Sequence, residues 1–230
     1  RLYRTDSSEY RRVTQETFME LWRRGLIYED DRPTNWCPSC KTTIADAEIE
    51  YINLETKLCY INFTVKEGGE VTVATTRPEL LCSCAAVIYN PEDERYLELD
   101  GKHVITPIYG VEVPILPSNY AKPEFGTGLA MVCSYGDYTD VRLFRELNLT
   151  PKIVITVEGR MGDGSGPLKG LRVEEARERM ISLLQSEGRL QKVEVIIHST
   201  PACWRSKDAV EFIAMSEYYL KQLPFIEDLR

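Results

Sequence analysis

The residues best suited to chemistry in this sequence fall in three places. Thr75-Thr76-Arg77-Pro78-Glu79 follows an apolar, β-branched run. Two adjacent hydroxyls and open N–H groups at a strand-to-helix switch can hold a water and a carbonyl oxygen, with Arg77 nearby for anionic groups. The same residues also read as plain structure. Thr76 and Glu79 have capping-box spacing, and Pro78 suits a first helical turn, where its missing N–H costs little. Gly126-Thr127-Gly128 leads into an apolar strand that ends at Tyr135-Gly136-Asp137-Tyr138-Thr139-Asp140. There Asp137 is a natural N-cap and Asp140 lies three residues on, where an acid favours the helix dipole. The alternative is that one of these carboxylates faces a pocket and binds a cation such as an α-ammonium group.

The third place is Cys37-Pro38-Ser39-Cys40, with Cys203-Trp204-Arg205-Ser206 far along the chain. A Cys-x-x-Cys knuckle supplies half of a tetrahedral zinc site. Cys203 would be a third ligand, and Ser206 stands where a fourth cysteine would complete the second knuckle. Two reduced cysteines beside a degenerate half-site explain the pattern equally well. The remaining cysteines lie in apolar strands and read as core. With only His103 and His198 present, no Ser/His/Asp or Cys/His catalytic set is available.

The chain around these groups has 230 residues, 43% hydrophobic and 28% charged, which suits a folded protein with a sizeable core and argues against disorder. Its longest apolar runs, such as 80–89, are too short to span a membrane, and its first twelve residues are too polar for a signal peptide. Seven cysteines without a regular disulfide spacing fit a reducing, cytoplasmic setting. The net charge of −8 argues mildly against a nucleic-acid partner, unless contact is confined to a small patch or to the end of an RNA.

The elements that must position these residues follow from periodicity. Ser7 or Ser8 caps a helix carrying Val13, Phe18, Leu21 and Trp22, and Gly25 stops it. A turn-rich knuckle occupies 33–40. Short alternating or β-branched segments at 57–65, 70–74, 85–89, 102–108, 111–115 and 129–134 predict a β-barrel-like core. Helices are expected at 137–147 and at 173–186, the latter closed by Gly188. The glycine-rich stretch 159–170 lacks the Gly-Lys-Ser/Thr of a phosphate cradle. A last strand at 193–197, a cysteine-containing turn and a closing helix complete the reading. The fold class is α+β, divided into a stem helix and knuckle (1–45), a β core with peripheral helices (46–195) and a returning stem (196–230). The two chain ends would form a small stem and zinc-knuckle module.

Taken together, these pieces resemble the editing insertion of the class I aminoacyl-tRNA synthetases for valine, isoleucine and leucine. Thr75 to Glu79 looks like that family's threonine-rich motif, and Gly126 to Asp140 like its second editing motif. The flanks, Asn35-Trp36-Cys37-Pro38-Ser39-Cys40, Thr43 to Tyr51 and Cys203 to Lys207, resemble the valine branch, and Met131 stands where bacterial relatives carry a lysine, which suggests an archaeal or eukaryotic type. Neither His-x-Gly-His nor Lys-Met-Ser-Lys-Ser is present. The resemblance therefore implies an editing domain cut from a longer protein, without a synthesis site. Threonine and valine are near-isosteres that a pocket shaped for valine separates weakly, so a second site must hydrolyse the wrong ester.

By the same resemblance Asp140 accepts the α-ammonium of the mischarged threonine. Thr75 and Thr76 position the carbonyl oxygen and the attacking water, and Arg77 orients the terminal adenosine or meets developing charge. Asp137, Gly126, Thr127, Gly128 and Leu80 line the substrate site. No protein general base is implied, and hydrolysis needs no cofactor. The partners would be the 3′ end of a threonine-carrying tRNA(Val) and the rest of the synthetase, with no membrane. An isoleucine-type domain acting on valyl-tRNA(Ile), or a non-catalytic RNA-binding zinc-knuckle module, are the alternatives.

Overall fold

The computed structural model describes residues 3–228; the outermost two positions of each expected stem segment lie outside it. The chain divides into two compact units, one made of residues up to Arg32 and from Ala214 onward, the other of Pro33–Ile213.

In the first unit, helix α1 (Ser8–Arg23) starts where Ser7 Oγ accepts from Tyr10 N and ends before Gly25 at φ +66°, as its cap and stop residues predict. None of its residues is buried. Phe18 and Trp22 pack edge-on against Tyr218. The boundary between the units falls within two paired strands, β1 (Ile27–Cys37) and β10 (Glu211–Leu220). Here the structure corrects two expectations. The knuckle is preceded by an eleven-residue strand, and the closing helix is a strand. The segment Glu211–Leu220 carries Phe212, Ile213, Tyr218 and Tyr219, residues that suit a pleated surface, and β1 offers it a partner. Local periodicity did not separate these alternatives; the partner strand did.

The second unit holds the site. Strand β2 (Thr42–Thr43) pairs with the end of β1 beyond the knuckle. The long strand β3 (Ile49–Val65) pairs antiparallel with β9 (Leu190–Cys203), from Ile49 opposite Cys203 to Ile61 opposite Leu190. Both run well past the expected 57–65 and 193–197, so the stem and the β core are joined by one continuous ribbon. The other strands are β4 (Glu70–Thr75), β5 (Cys84–Tyr89), β6 (His103–Ile105), β7 (Glu112–Pro117) and β8 (Leu129–Cys133). They give the order β4-β3-β6-β7-β5-β8, with β9 on the outer part of β3. The β5–β7 pair is parallel and the other pairs are antiparallel. The edge strands β4 and β8 approach without hydrogen-bonding, so the sheet curls into a half-barrel, in keeping with the α+β, barrel-like core expected. Ile61, Phe63, Val73 and Ile115 are buried in the sheet, and Val132 packs with Ala86 and Ile88 against Leu143 and Phe144 of the helix that follows β8.

Two helices flank the sheet. Helix α2 (Tyr138–Glu146) is capped by Asp137, whose Oδ1 accepts from Asp140 N at 2.8 Å. Helix α3 (Val173–Ser186) buries Val173, Ala176, Met180 and Leu184, one stripe at helical spacing, and Arg177 falls on that stripe. Among the described residues no helix is long and apolar enough to cross a membrane.

Candidate functional site

The site is built at the end of β4. The chain leaves Thr75, turns at Thr76-Arg77 and enters a 3-10 turn, Pro78–Ser83, whose six residues are all buried. The expected capping box between Thr76 and Glu79 does not form, because no side chain caps this turn. Instead Thr75 Oγ1 accepts from Arg77 N at 3.0 Å, which pins the turn and leaves its own proton to donate elsewhere. The half-buried Thr76 hydroxyl has no partner among the described residues.

Glu79 is the residue the sequence reading misplaced. Its carboxylate is fully buried and accepts from Arg77 Nε at 3.0 Å and from Arg177 Nε and Nη2 at 3.1 and 2.9 Å. Arg77 continues outward to Glu211, Nη2 to Oε2 at 2.9 Å, and its Nη1 donates to the Gly136 carbonyl at 3.0 Å. The guanidinium expected to meet substrate is therefore committed on three sides to protein acceptors. Burial alone would push the Glu79 carboxyl up; two adjacent guanidinium groups outweigh it and hold the pKa below the ordinary glutamate value. Glu211, equally buried but with only Arg77 in direct contact, goes the other way, and burial leaves its pKa raised.

Gly136 connects this ion chain to Asp140. A Cβ on Gly136 would stand 2.5 Å from Asp140 Oδ2 and 3.1 Å from Leu80 Cδ1, so only glycine lets the loop close over both. Leu80 is buried and forms the apolar floor beneath them. Asp140 is half-buried, and among the described residues no cation lies within ion-pair distance of its carboxylate. Burial and the neighbouring Asp137 push its pKa well above the ordinary aspartate value, against a weaker opposite pull from the backbone of Cys133 and Gly136 and from Arg77. A half-buried carboxylate with no counter-ion is a cation site in waiting. Asp137, by contrast, is exposed and occupied as the N-cap of α2.

The Gly126-Thr127-Gly128 loop approaches the same end of β4. Gly126 has φ +60°, and a Cβ there would overlap the Ala74 side chain. Gly128, at φ +87°, leaves room for the Asp93–Arg95 pair. The Thr127 carbonyl accepts from Tyr96 Oη, and its hydroxyl accepts from Leu129 N. The structure thus brings Thr75, Thr76, Arg77, Leu80, Gly126 and Asp140 round one strand end, and adds Glu79, Gly136, Arg177 and Glu211. Arg177 carried a faint signal, a cation on the apolar stripe of a helix. Glu211 carried none, since the segment it opens was read as helical.

The three knuckle cysteines also come together. The Sγ atoms of Cys37, Cys40 and Cys203 lie within 4.8 Å of one another, and Cys40 and Cys203 are 3.9 Å apart. Thiolates each about 2.3 Å from a tetrahedral zinc would stand about 3.8 Å from one another. The two turns match: Lys41 and Lys207 both have positive φ, and each donates its N–H to the carbonyl of Cys37 or Cys203. Ser206 Oγ lies beside them, 3.3 Å from Cys37 Sγ. The group can hold a metal ion. All three cysteines belong to the second unit.

A threonine-rich turn and an aspartate with no cation in reach among the described residues thus lie together on a curled sheet, and a cysteine cluster stands at the far end of the β3–β9 ribbon. The sequence profile of the tRNA synthetases class I (I, L, M and V) matches residues 1–228, and the chain belongs to that family. Its relatives are more specific. The valine--tRNA ligase of Aeropyrum pernix is 53% identical over 222 residues, which is 96% of this chain and 27% of the relative. That of Nanoarchaeum equitans is 52% identical over 229 residues, 99% of this chain and 30% of the relative. The chain thus spans between 27% and 30% of the length of these two relatives. Among solved structures, the LeuRS-tRNA-LeuAMS ternary complex of Agrobacterium radiobacter K84 superposes at a TM-score of 0.49 with 18% identity, covering 91% of this chain and 37% of that one.

Proposed function

We propose that this chain is a post-transfer editing domain that hydrolyses the ester of threonyl-tRNA(Val) in the cytoplasm, working with the rest of a valine-type synthetase. The observation that carries the reading is Asp140: a carboxylate with no counter-ion, over an apolar floor, beside two threonines with hydroxyl hydrogens to give. An α-ammonium group is the cation that an aminoacyl ester brings. Bound to Asp140, it would set the ester carbonyl against the Thr75–Thr76 turn. The hydroxyls then donate to the carbonyl oxygen and orient a water. Water adds to the carbonyl carbon, the bond to the ribose oxygen breaks, and that oxygen leaves with a proton. Among the described residues no group near Asp140 is placed as a general base, so the neighbouring ribose hydroxyl is the natural relay for that proton. Arg77 serves the site as a brace. Gly126 and Gly128 let the second loop close on the strand end. A zinc ion held by Cys37, Cys40 and Cys203, with Ser206 or a water as fourth ligand, would clip the knuckle and take no part in hydrolysis.

The test is release of threonine from threonyl-tRNA(Val) and of valine from valyl-tRNA(Val), with Asp140→Ala alongside. Threonine release should be the faster. It should fall about 10- to 100-fold in the variant, as the loss of one charged hydrogen bond of about 1.5–3 kcal/mol requires. Equal release of both amino acids, or full activity without Asp140, would end the proposal.

A further inference from the structure

Arg177, Glu79, Arg77 and Glu211 form a linear chain of alternating charge, with contacts of 2.9, 3.0 and 2.9 Å. Two cations and two anions balance within it. Asp140 lies just across Gly136 and takes no part. Arg77 reaches the Gly136 carbonyl from one side at 3.0 Å, and Asp140 Oδ2 stands against the α-carbon side of the same residue. A guanidinium is the strongest partner that a half-buried carboxylate can find, and one is held a single residue away. Its two acidic neighbours are both buried, so its alternative partners are fixed.

We propose that Glu79, held by Arg177, and Glu211 are positioning residues that keep the Arg77 guanidinium off Asp140, leaving that carboxylate open to the α-ammonium group of the aminoacyl ester. This rests on the editing reading above. Its logic is competition. An internal Arg77–Asp140 pair would have to be broken by every substrate, which weakens binding without touching the chemical step. Among the described residues, the charged and titratable groups that act on Asp140 are Asp137 on its own helix turn, Cys133 at the end of β8 and Arg77 from the 3-10 turn. Of these only Arg77 is cationic.

The decisive comparison is Glu211→Gln against the double variant Arg77→Gln/Glu211→Gln. Glu211→Gln frees one arm of Arg77, and KM for threonyl-tRNA(Val) should rise about tenfold with kcat within about twofold. The titration midpoint of Asp140, followed by its carboxyl carbon resonance, should fall. In the double variant no guanidinium is left to capture Asp140, so the midpoint should return most of the way to wild type. A merely structural network predicts the opposite, additive damage. An unchanged midpoint in the single variant, or a midpoint in the double variant as low as in the single, overturns the proposal. Should Glu211→Gln not fold, Glu211→Asp keeps the charge on a shorter arm and should shift the midpoint partway; no shift in that folded variant also overturns it. If the wild-type chain releases no threonine at all, the editing reading falls. The carboxyl titration still decides whether the ion chain restrains Arg77.

Discussion

Glu79→Gln is the sharpest test of how the site is held. The wild-type carboxylate is fully buried and accepts three charged hydrogen bonds, one from Arg77 and two from Arg177. A glutamine of the same shape keeps one acceptor oxygen but turns an N–H₂ group toward a guanidinium, and the balanced chain becomes net positive. Breaking a buried ion pair by neutralising one partner costs about 3–5 kcal/mol. For a chain of this size each kcal/mol moves Tm by about 2–4 °C, so the midpoint should drop by about 6–20 °C at pH 7. The pH dependence has a definite sign. The folded pKa of Glu79 is lowered, so its contribution is fully present above the unfolded value of about 4.3 and is lost as pH falls through the folded value. Through Glu79 the gap between the two proteins should stay constant from pH 7 to about 5 and narrow below about 4.3. Glu211 has a raised pKa and so the opposite slope, and neutralising Glu79 removes one of the charges that raise it. That share of the gap grows as pH falls toward about 4.3, so the Glu79 share is read below it. Thermal unfolding followed by circular dichroism measures all of this. Replacing both partners, Glu79→Leu/Arg177→Leu, leaves Arg77 paired with Glu211 and should recover most of the loss. A drop under about 2 °C for Glu79→Gln, or a gap that widens below about pH 4.3, would refute an ionised, buried Glu79.

Asp140→Asn should stabilise the fold while it abolishes the cation site. The raised pKa of Asp140 means that the native state binds its proton more tightly than the unfolded chain, so stability is lost as pH rises above about 3.9. Relief of an unpaired buried group worth about 1 kcal/mol should lift Tm by about 2–4 °C at pH 8, with no gain below about pH 4. Gly126→Ala should cost about 2–4 kcal/mol, since it meets both a left-handed backbone and the Ala74 side chain. Gly110→Ala, at φ +63° with open space around it, should cost only about 1–2 kcal/mol; equal losses in urea unfolding would show that the Ala74 contact is not tight. On zinc, the wild-type chain should bind about one ion per chain after dialysis against trace metal, and Cys203→Ala should lose it. Equal metal content in both proteins would remove the knuckle as the site.

The parts of this fold that could be read from the sequence are those whose signals are local. Helix α2 was expected at 137–147 and lies at Tyr138–Glu146, because Asp137 announces its own cap. Helix α3 falls where its apolar stripe and Gly188 place it. Five of the short strands were visible as alternation between turn residues. What escaped depends on distant partners. Glu211–Leu220 suits a helix or a strand taken alone, and β1 decides between them. The ribbon stretches 49–56 and 198–203 hide behind polar residues such as Asn53, Glu55 and His198, and only their pairing across the ribbon makes them strand. Glu79 is the plainest case. Its spacing from Thr76 fits a cap, an interaction of three residues' reach, yet it is satisfied by Arg177, 98 positions away. A site of this kind is half legible for a physical reason. Hydroxyls, glycines and an aspartate near a turn advertise chemistry by their type. The buried charges that hold them show only when the chain has folded back, because a carboxylate's need for a counter-ion says nothing about where along the sequence that ion comes from.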